Sequence, residues 1–242
     1  MPEEITLSVF RGDESGGQEV EYKVPVETGI VVLDAIHYIQ AHDAPDLAVR
    51  WNCKAAHCGS CSAEINGSPK LLCKTRVDDY AGEVIHVRPM RTFPVIKDLV
   101  ADVSWNYEKL RQVPAFQPAI KAPFTLQQRD VDRIEEFRNC IECFLCQNVC
   151  HVLRDHDAKD RYWGPRLMIR IAELQMHPLD TGDRLELLHE AAGVGMCNIT
   201  KCCSDVCPQG INITDNGIIP LKERVADVHW DPLGGIVRRM HK

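Results

Sequence analysis

Residues 140–150, CIECFLCQNVC, and residues 197–208, CNITKCCSDVCP, decide how the second half of this chain must fold. Each stretch spaces its cysteines a few residues apart, so that several sulfurs of one short segment can turn toward one point. Soft thiolates at this density suit iron-sulfur cubes. The residues between the two stretches must then fold back to bring the sulfurs together.

Cys140-x2-Cys143-x2-Cys146-x3-Cys150 is the bacterial ferredoxin run, in which the fourth cysteine leaves to serve another cluster. Cys207, followed by Pro208, returns as the missing ligand, so Cys140, Cys143, Cys146 and Cys207 are expected to bind [4Fe-4S]. The complementary half, Cys197-x5-Cys203-x3-Cys207-Pro208, has Thr200 where its middle cysteine should stand. Cys150, Cys197 and Cys203 remain, which is the ligand count of [3Fe-4S]. Cys202 adjoins Cys203. It reads either as a buried or supporting thiol or as a residue that changes the cluster type.

An earlier set, Cys53-x4-Cys58-x2-Cys61-x11-Cys73, also offers four soft ligands. Ala55, Ala56, Gly59 and Ser60 leave little side-chain bulk, so the backbone can wrap closely and give N–H groups to the sulfides of [2Fe-2S]. A zinc site would usually show two Cys-x2-Cys knuckles, and only one is present. The spacing is that of plant-type ferredoxins except for a shorter last interval. Trp51 and Leu72 are expected to shield this centre.

The chain has 242 residues, twelve cysteines, a net charge of -7 and a pI near 5.8. Cysteine clustering favours two modest domains, since a metal-organised domain needs little core of its own. The acidic balance argues against a nucleic-acid partner. No apolar run reaches the roughly 20 residues that span a bilayer, and the start lacks a secretory pattern, so a cytosolic or peripheral location is expected. There reduced cysteines serve as ligands more often than as disulfides.

Residues 4–11 and 19–26 alternate as strands, with a turn over Gly12 to Gly17. Residues 30–40 form a helix with Thr28 as its cap, giving the opening of a β-grasp roll. Two short strands, 62–65 and 71–73, flank the Asn66-Gly67 turn, and 83–88 closes the sheet. Val95, Leu99, Val103 and Tyr107 fall at helical spacing, and Pro114, Pro118 and Pro123 then break the helical pattern. The domains expected are 1–104 and 105–242. Helices are expected over 127–139, from Pro165 to Pro178, over 185–192 and over 216–228, with a loop-like basic tail from 231. The fold class is thus α+β: a plant-type ferredoxin-like β-grasp domain, then an all-helical bacterial-ferredoxin-like domain.

Machinery for bond chemistry is absent: there is neither a GxGxxG nor a P-loop pattern. Asp155, His156, Asp157 and Asp160 read as a solvated turn, and His57 and His151 as neighbours of ligands. Asn148, Asn198, Thr200 and Ser204 read as tuners of potential or as helix caps. The residues describe an electron relay of three clusters.

WNCKAAHCGSCSAEING (51–67) with LLCKT (71–75), RTFPVIKDLVADVSWNYEKL (91–110), CIECFLCQNVC and CNITKCCSDVCPQGI (197–211) resemble the iron-sulfur subunit of succinate dehydrogenase and quinol:fumarate reductase. The resemblance covers nearly the whole chain and implies the same ligand allocation. It further implies an FAD-bearing flavoprotein partner, a membrane anchor with or without haem, a quinone at the anchor interface, and a place on the cytoplasmic face of the membrane. Succinate chemistry would belong to the flavoprotein. His151, Asp155 and Asn198 depart from the proline, tryptophan and histidine of many ubiquinone-using members, which points to menaquinone.

Overall fold

A computed structural model describes residues 4–118 and 125–231. The expectations for Pro123 and for the tail beyond Asp231 fall outside these residues.

β1 (Glu4–Asp13) and β2 (Gly16–Pro25) form an antiparallel hairpin whose ladder runs to the Asp13–Gly16 pair. The turn is therefore tighter than the glycine-flanked loop expected. Gly12 and Gly17 are paired across the ladder, so close that a Cβ on Gly12 would meet the Gly16 carbonyl oxygen at 2.3 Å. Helix α1 (Val32–His42) is capped at Val31, not Thr28, because the Asp34 carboxylate accepts from the Val31 N–H at 3.2 Å. Its buried face, Val32, Leu33, Ala35, Ile36 and Ile39, belongs to the same core as Leu7, Val9, Val24, Ile85 and Val87. Each such side chain contributes roughly 1.5–3 kcal/mol on burial.

β3 (Ser62–Ile65) and β4 (Ser68–Leu71) close over Asn66 and Gly67, both at positive φ. The second strand comes earlier than expected, which leaves Cys73 in the turn beyond it. β5 (Ile85–Arg88) runs parallel to β1 and antiparallel to β3, and the sheet order is β2-β1-β5-β3-β4.

The helical stripe expected from Val95 to Tyr107 is not one element. β6 (Val95–Lys97) and β7 (Val100–Ala101) make a small hairpin, and α2 (Ser104–Leu110) comes after it. Asp98 breaks the period. It sits at φ 49° and is 2% exposed, and its carboxylate accepts from the N–H groups of Gly12 at 3.0 Å and Ala48 at 2.9 Å and from Arg11 at 3.1 Å. Three donors on one buried carboxylate outweigh a helical preference that rests on four apolar positions.

The remaining helices are α3 (Gln128–Arg138), α4 (Leu145–Val149), α5 (His151–Arg154), α6 (Gly164–Gln175), α7 (Leu185–His189), α8 (Cys202–Asp205) and α9 (Ile219–His229), with a π-helical turn over Ile213–Ile218 before the last. α6 starts with Pro165 in its first turn and buries Leu167, Met168, Ile169, Ile171 and Ala172. Gly217 lets the π-helical turn lie on α6, since a Cβ there would meet Ile169 at 2.7 Å.

The chain divides into two compact units. The first runs to Ser104 and takes in Ile141–Val149 and Val206–Gln209; the second holds Trp105–Cys140, Cys150–Asp205 and the chain from Gly210 on. Residues 141–149 and 206–209, grouped from the sequence with the second half, thus belong to the unit of the β-sheet. No helix among the described residues is long and apolar enough to cross a membrane.

Candidate iron-sulfur centres

The three cysteine-rich loops share one backbone device. Of nine non-glycine residues at positive φ among the described residues, six lie in them as pairs two residues apart: Lys54 and Ala56, Glu142 and Phe144, Ile199 and Lys201. Left-handed residues alternating with ordinary ones turn successive N–H groups into a concavity that favours anions, such as thiolates and the sulfides of a cluster. L side chains accept this conformation only where the surroundings repay its cost.

In the first loop the N–H groups of Ala55 and His57 already point at Cys53 Sγ, at 3.3 and 3.4 Å. The Cys73 N–H reaches Cys61 Sγ at 3.5 Å, so the turn after β4 faces the loop. Burial resists ionisation of Cys58, but hydrogen bonds from Ser60 and from backbone outweigh it and draw the thiol down to about 6. At Cys61 burial dominates and pushes the thiol up to about 12. Leu72 is buried, as a shield should be, whereas Trp51 is 47% exposed, edge-on to His37 with Lys54 over its ring.

Within the same unit this loop touches the segments of Cys143 and Cys207. Gly59, at φ 68°, lies so near that a Cβ would meet the Ile141 carbonyl oxygen at 2.7 Å and Cys143 Cα at 2.8 Å. Gln209 donates to the Ala56 carbonyl and Lys74 Nζ to the Pro208 carbonyl, each at 3.0 Å. Cys143 and Cys146 are buried. Asn148, next along α4, neither caps a helix nor turns to a cysteine. It donates to Glu64 at 2.8 Å and accepts from the Thr92 N–H at 3.1 Å, fastening α4 to the sheet unit.

In the second unit Cys150, Cys197, Cys202 and Cys203 gather. Burial pushes the Cys150 thiol up to about 11 and that of Cys203 to about 12, and in both the neighbouring sulfurs add to the rise. The fully buried Tyr162 phenol is raised by burial and by the sulfurs of Cys197, Cys150 and Cys203, which places it at their side. Thr214, on the π-helical turn, is wholly buried with its hydroxyl 3.3 Å from Cys203 Sγ. Lys222 of α9 donates to the Cys197 carbonyl at 2.6 Å.

Thr200 sits between Ile199 and Lys201 as Cys143 sits between Glu142 and Phe144, so the two loops repeat one backbone with a hydroxyl in place of a thiol. Asn198 Nδ2 and His151 Nε2 lie 2.7 Å apart, a pairing that no spacing foretold. The 154–160 turn carries local ion pairs, Arg154 with Asp155 and Lys159 with Asp157, and is the solvated turn expected. Among the described residues no three His, Cys, Asp or Glu side chains are placed to share a single metal ion. The buried, raised thiols suit a multi-iron core, whose positive charge would deprotonate them on binding.

A mixed sheet packed with one helix, a helical unit, and three cysteine-rich loops that alternate left-handed and ordinary residues define an iron-sulfur electron-transfer protein. A family described as "2Fe-2S iron-sulfur cluster binding domain" matches residues 6–108, and one described as "4Fe-4S dicluster domain" matches residues 136–211. The fumarate reductase iron-sulfur subunit of Mycobacterium tuberculosis is 34% identical over 200 residues, 79% of each chain, and that of Haemophilus influenzae is 32% identical over 209 residues, covering 79% and 80%. A chain of the Mycobacterium smegmatis Sdh1 complex superposes with a TM-score of 0.93 at 58% identity, covering 96% of this chain and all of that one. The chain belongs to the family of iron-sulfur subunits of succinate dehydrogenase and fumarate reductase.

Proposed function

We propose that this subunit takes electrons from a flavoprotein partner carrying covalent FAD and delivers them to menaquinone at a membrane anchor, seated peripherally on the cytoplasmic face. Cys53, Cys58, Cys61 and Cys73 would hold [2Fe-2S] within domain 1–104. Cys140, Cys143, Cys146 and Cys207 would hold [4Fe-4S], and Cys150, Cys197 and Cys203 [3Fe-4S]. When bound, the three clusters supply one-electron chemistry that no side chain of this protein can.

The chain's own residues do the rest. In the first loop the left-handed pair aims the Ala55 and His57 N–H groups at the Cys53 sulfur, which favours the more negative, reduced state. Gly59 lets the first loop lie against Cys143, so the donor and acceptor segments are held in one packed unit. His151 and Asn198 set an imidazole and an amide beside Cys150 and Cys197, polar groups suited to a quinone oxygen.

The observation that carries the three-iron reading is the exposed Thr200 in the backbone slot that Cys143 fills in the other loop. Paramagnetic resonance of the isolated, oxidised complex should give a three-iron signal. A fully assembled four-iron centre in its place would overturn the allocation. The reverse direction, fumarate reduction, is favoured by the names of the Mycobacterium tuberculosis and Haemophilus influenzae relatives. Assays in both directions with a menaquinone analogue decide between the two.

A further inference from the structure

Cys202 has no counterpart in the first ferredoxin-like run, where Leu145 stands at the same place, one before the third cysteine. Adjacent side chains face a common centre only if the backbone bends. Lys201, immediately before it, is at φ 64° and provides the bend. The Cys202 sulfur lies 3.4 Å from the Thr200 hydroxyl oxygen, so it reaches the slot from which the middle ligand is missing. Cys202 opens α8 one residue before the buried Cys203, so its sulfur belongs to the same short loop and helix start that carry the proposed ligands Cys197 and Cys203. Thr200 itself is exposed, which leaves that corner open to an ion from solvent.

We propose that Cys202 is a reserve fourth ligand, which lets the centre of Cys150, Cys197 and Cys203 take up a ferrous ion and close into a four-iron cluster. The proposal rests on the three-iron reading above. One electron first reduces [3Fe-4S]+ to [3Fe-4S]0, supplied by succinate through the complex or by dithionite. The reduced core and one Fe2+ then give [4Fe-4S]2+ with no further change in electron count. The Cys202 thiol loses its proton to solvent as its Fe–S bond forms. Oxidation beyond the [4Fe-4S]2+ level, or a chelator, reverses the uptake, so the last carrier of the relay would respond to ferrous iron under reducing conditions.

The test uses the detergent-solubilised complex, wild type and Cys202→Ser, reduced anaerobically with dithionite and treated with ferrous iron enriched in 57Fe. The three-iron resonance after mild reoxidation should be lost in the wild type and retained in Cys202→Ser. Mössbauer spectra should show the label in a four-iron centre of the wild type alone. Equal conversion in both proteins, or none in the wild type, would overturn the proposal. So would failure of both Cys202→Ser and Cys202→Ala to assemble a three-iron centre, since Cys202 would then be structural. The spectrum before iron addition tests the underlying reading separately. A four-iron centre already present in the wild type, becoming three-iron in Cys202→Ser, would overturn the three-iron assignment while keeping Cys202 as a ligand.

Discussion

Gly59 and Lys222 show how single side chains, or the lack of one, set the terms for the metal centres. At φ 68° and under 3 Å from Cys143 for any added Cβ, Gly59 cannot be replaced without moving the loop of Cys53, Cys58 and Cys61, proposed to hold [2Fe-2S], away from the Cys143 segment. Gly59→Ala should broaden or remove the [2Fe-2S] resonance and slow electron transfer beyond it, while leaving the three-iron signal in place. Lys222 has no carboxylate within ion-pair distance among the described residues, and its ammonium bonds only the carbonyls of Gly195 and Cys197. An uncompensated cation beside a proposed ligand would favour the reduced state of a cluster bound there. Lys222→Met should lower the midpoint potential of the three-iron centre by tens of millivolts, about 59 mV for a tenfold change in a one-electron equilibrium. Lys222→Arg should keep it, and a redox titration monitored by resonance amplitude reads both.

Two connecting segments owe their course to buried charge, and neither charge announces itself. Asp98 holds the β6–β7 hairpin to Gly12, Ala48 and Arg11. Arg184 does the same for the residues after α2: its guanidinium donates to the carbonyls of Pro114, Ala115 and Gly182 and to Asp180, with both charged side chains wholly buried. Removing one partner strands the other in an apolar interior. Arg184→Ala should therefore cost about 3–5 kcal/mol, read as a fall in the denaturation midpoint of the complex. The Asp180→Asn/Arg184→Met pair should recover part of it.

In each compact unit, iron bound by the proposed ligands would balance charge as well as crosslink the chain. Cys61, Cys150 and Cys203 are pushed up to about 12, 11 and 12 by burial, so in metal-free protein at neutral pH all three carry protons. Cluster assembly must expel them. Reconstitution from iron and sulfide should therefore release protons and become more favourable as pH rises, measurable by calorimetry in buffers of different ionisation enthalpy. Cys207→Ser removes a proposed [4Fe-4S] ligand from a turn that also bonds Ala56 through Gln209 and Lys74 through Pro208. It should abolish the [4Fe-4S] signal together with much of the fold that the cluster organises. Damage confined to [2Fe-2S] would contradict the ligand allocation.

Cysteine spacing made the relay legible before any coordinates, because ligand count and interval are local chemistry: three stretches, eleven proposed ligands and the Thr200 gap can be read along the line. The strands and the longer helices were legible for the same reason, since periods of two and 3.6 are local too. Four things were not: the return of residues 141–149 and 206–209 to the sheet unit, the hairpin pinned by Asp98, the His151–Asn198 pair, and the approach of Cys202 to Thr200. Each depends on where a side chain meets a partner from elsewhere in the fold or on a left-handed backbone angle. Burial and packing set those, and residue order leaves no periodic trace of them.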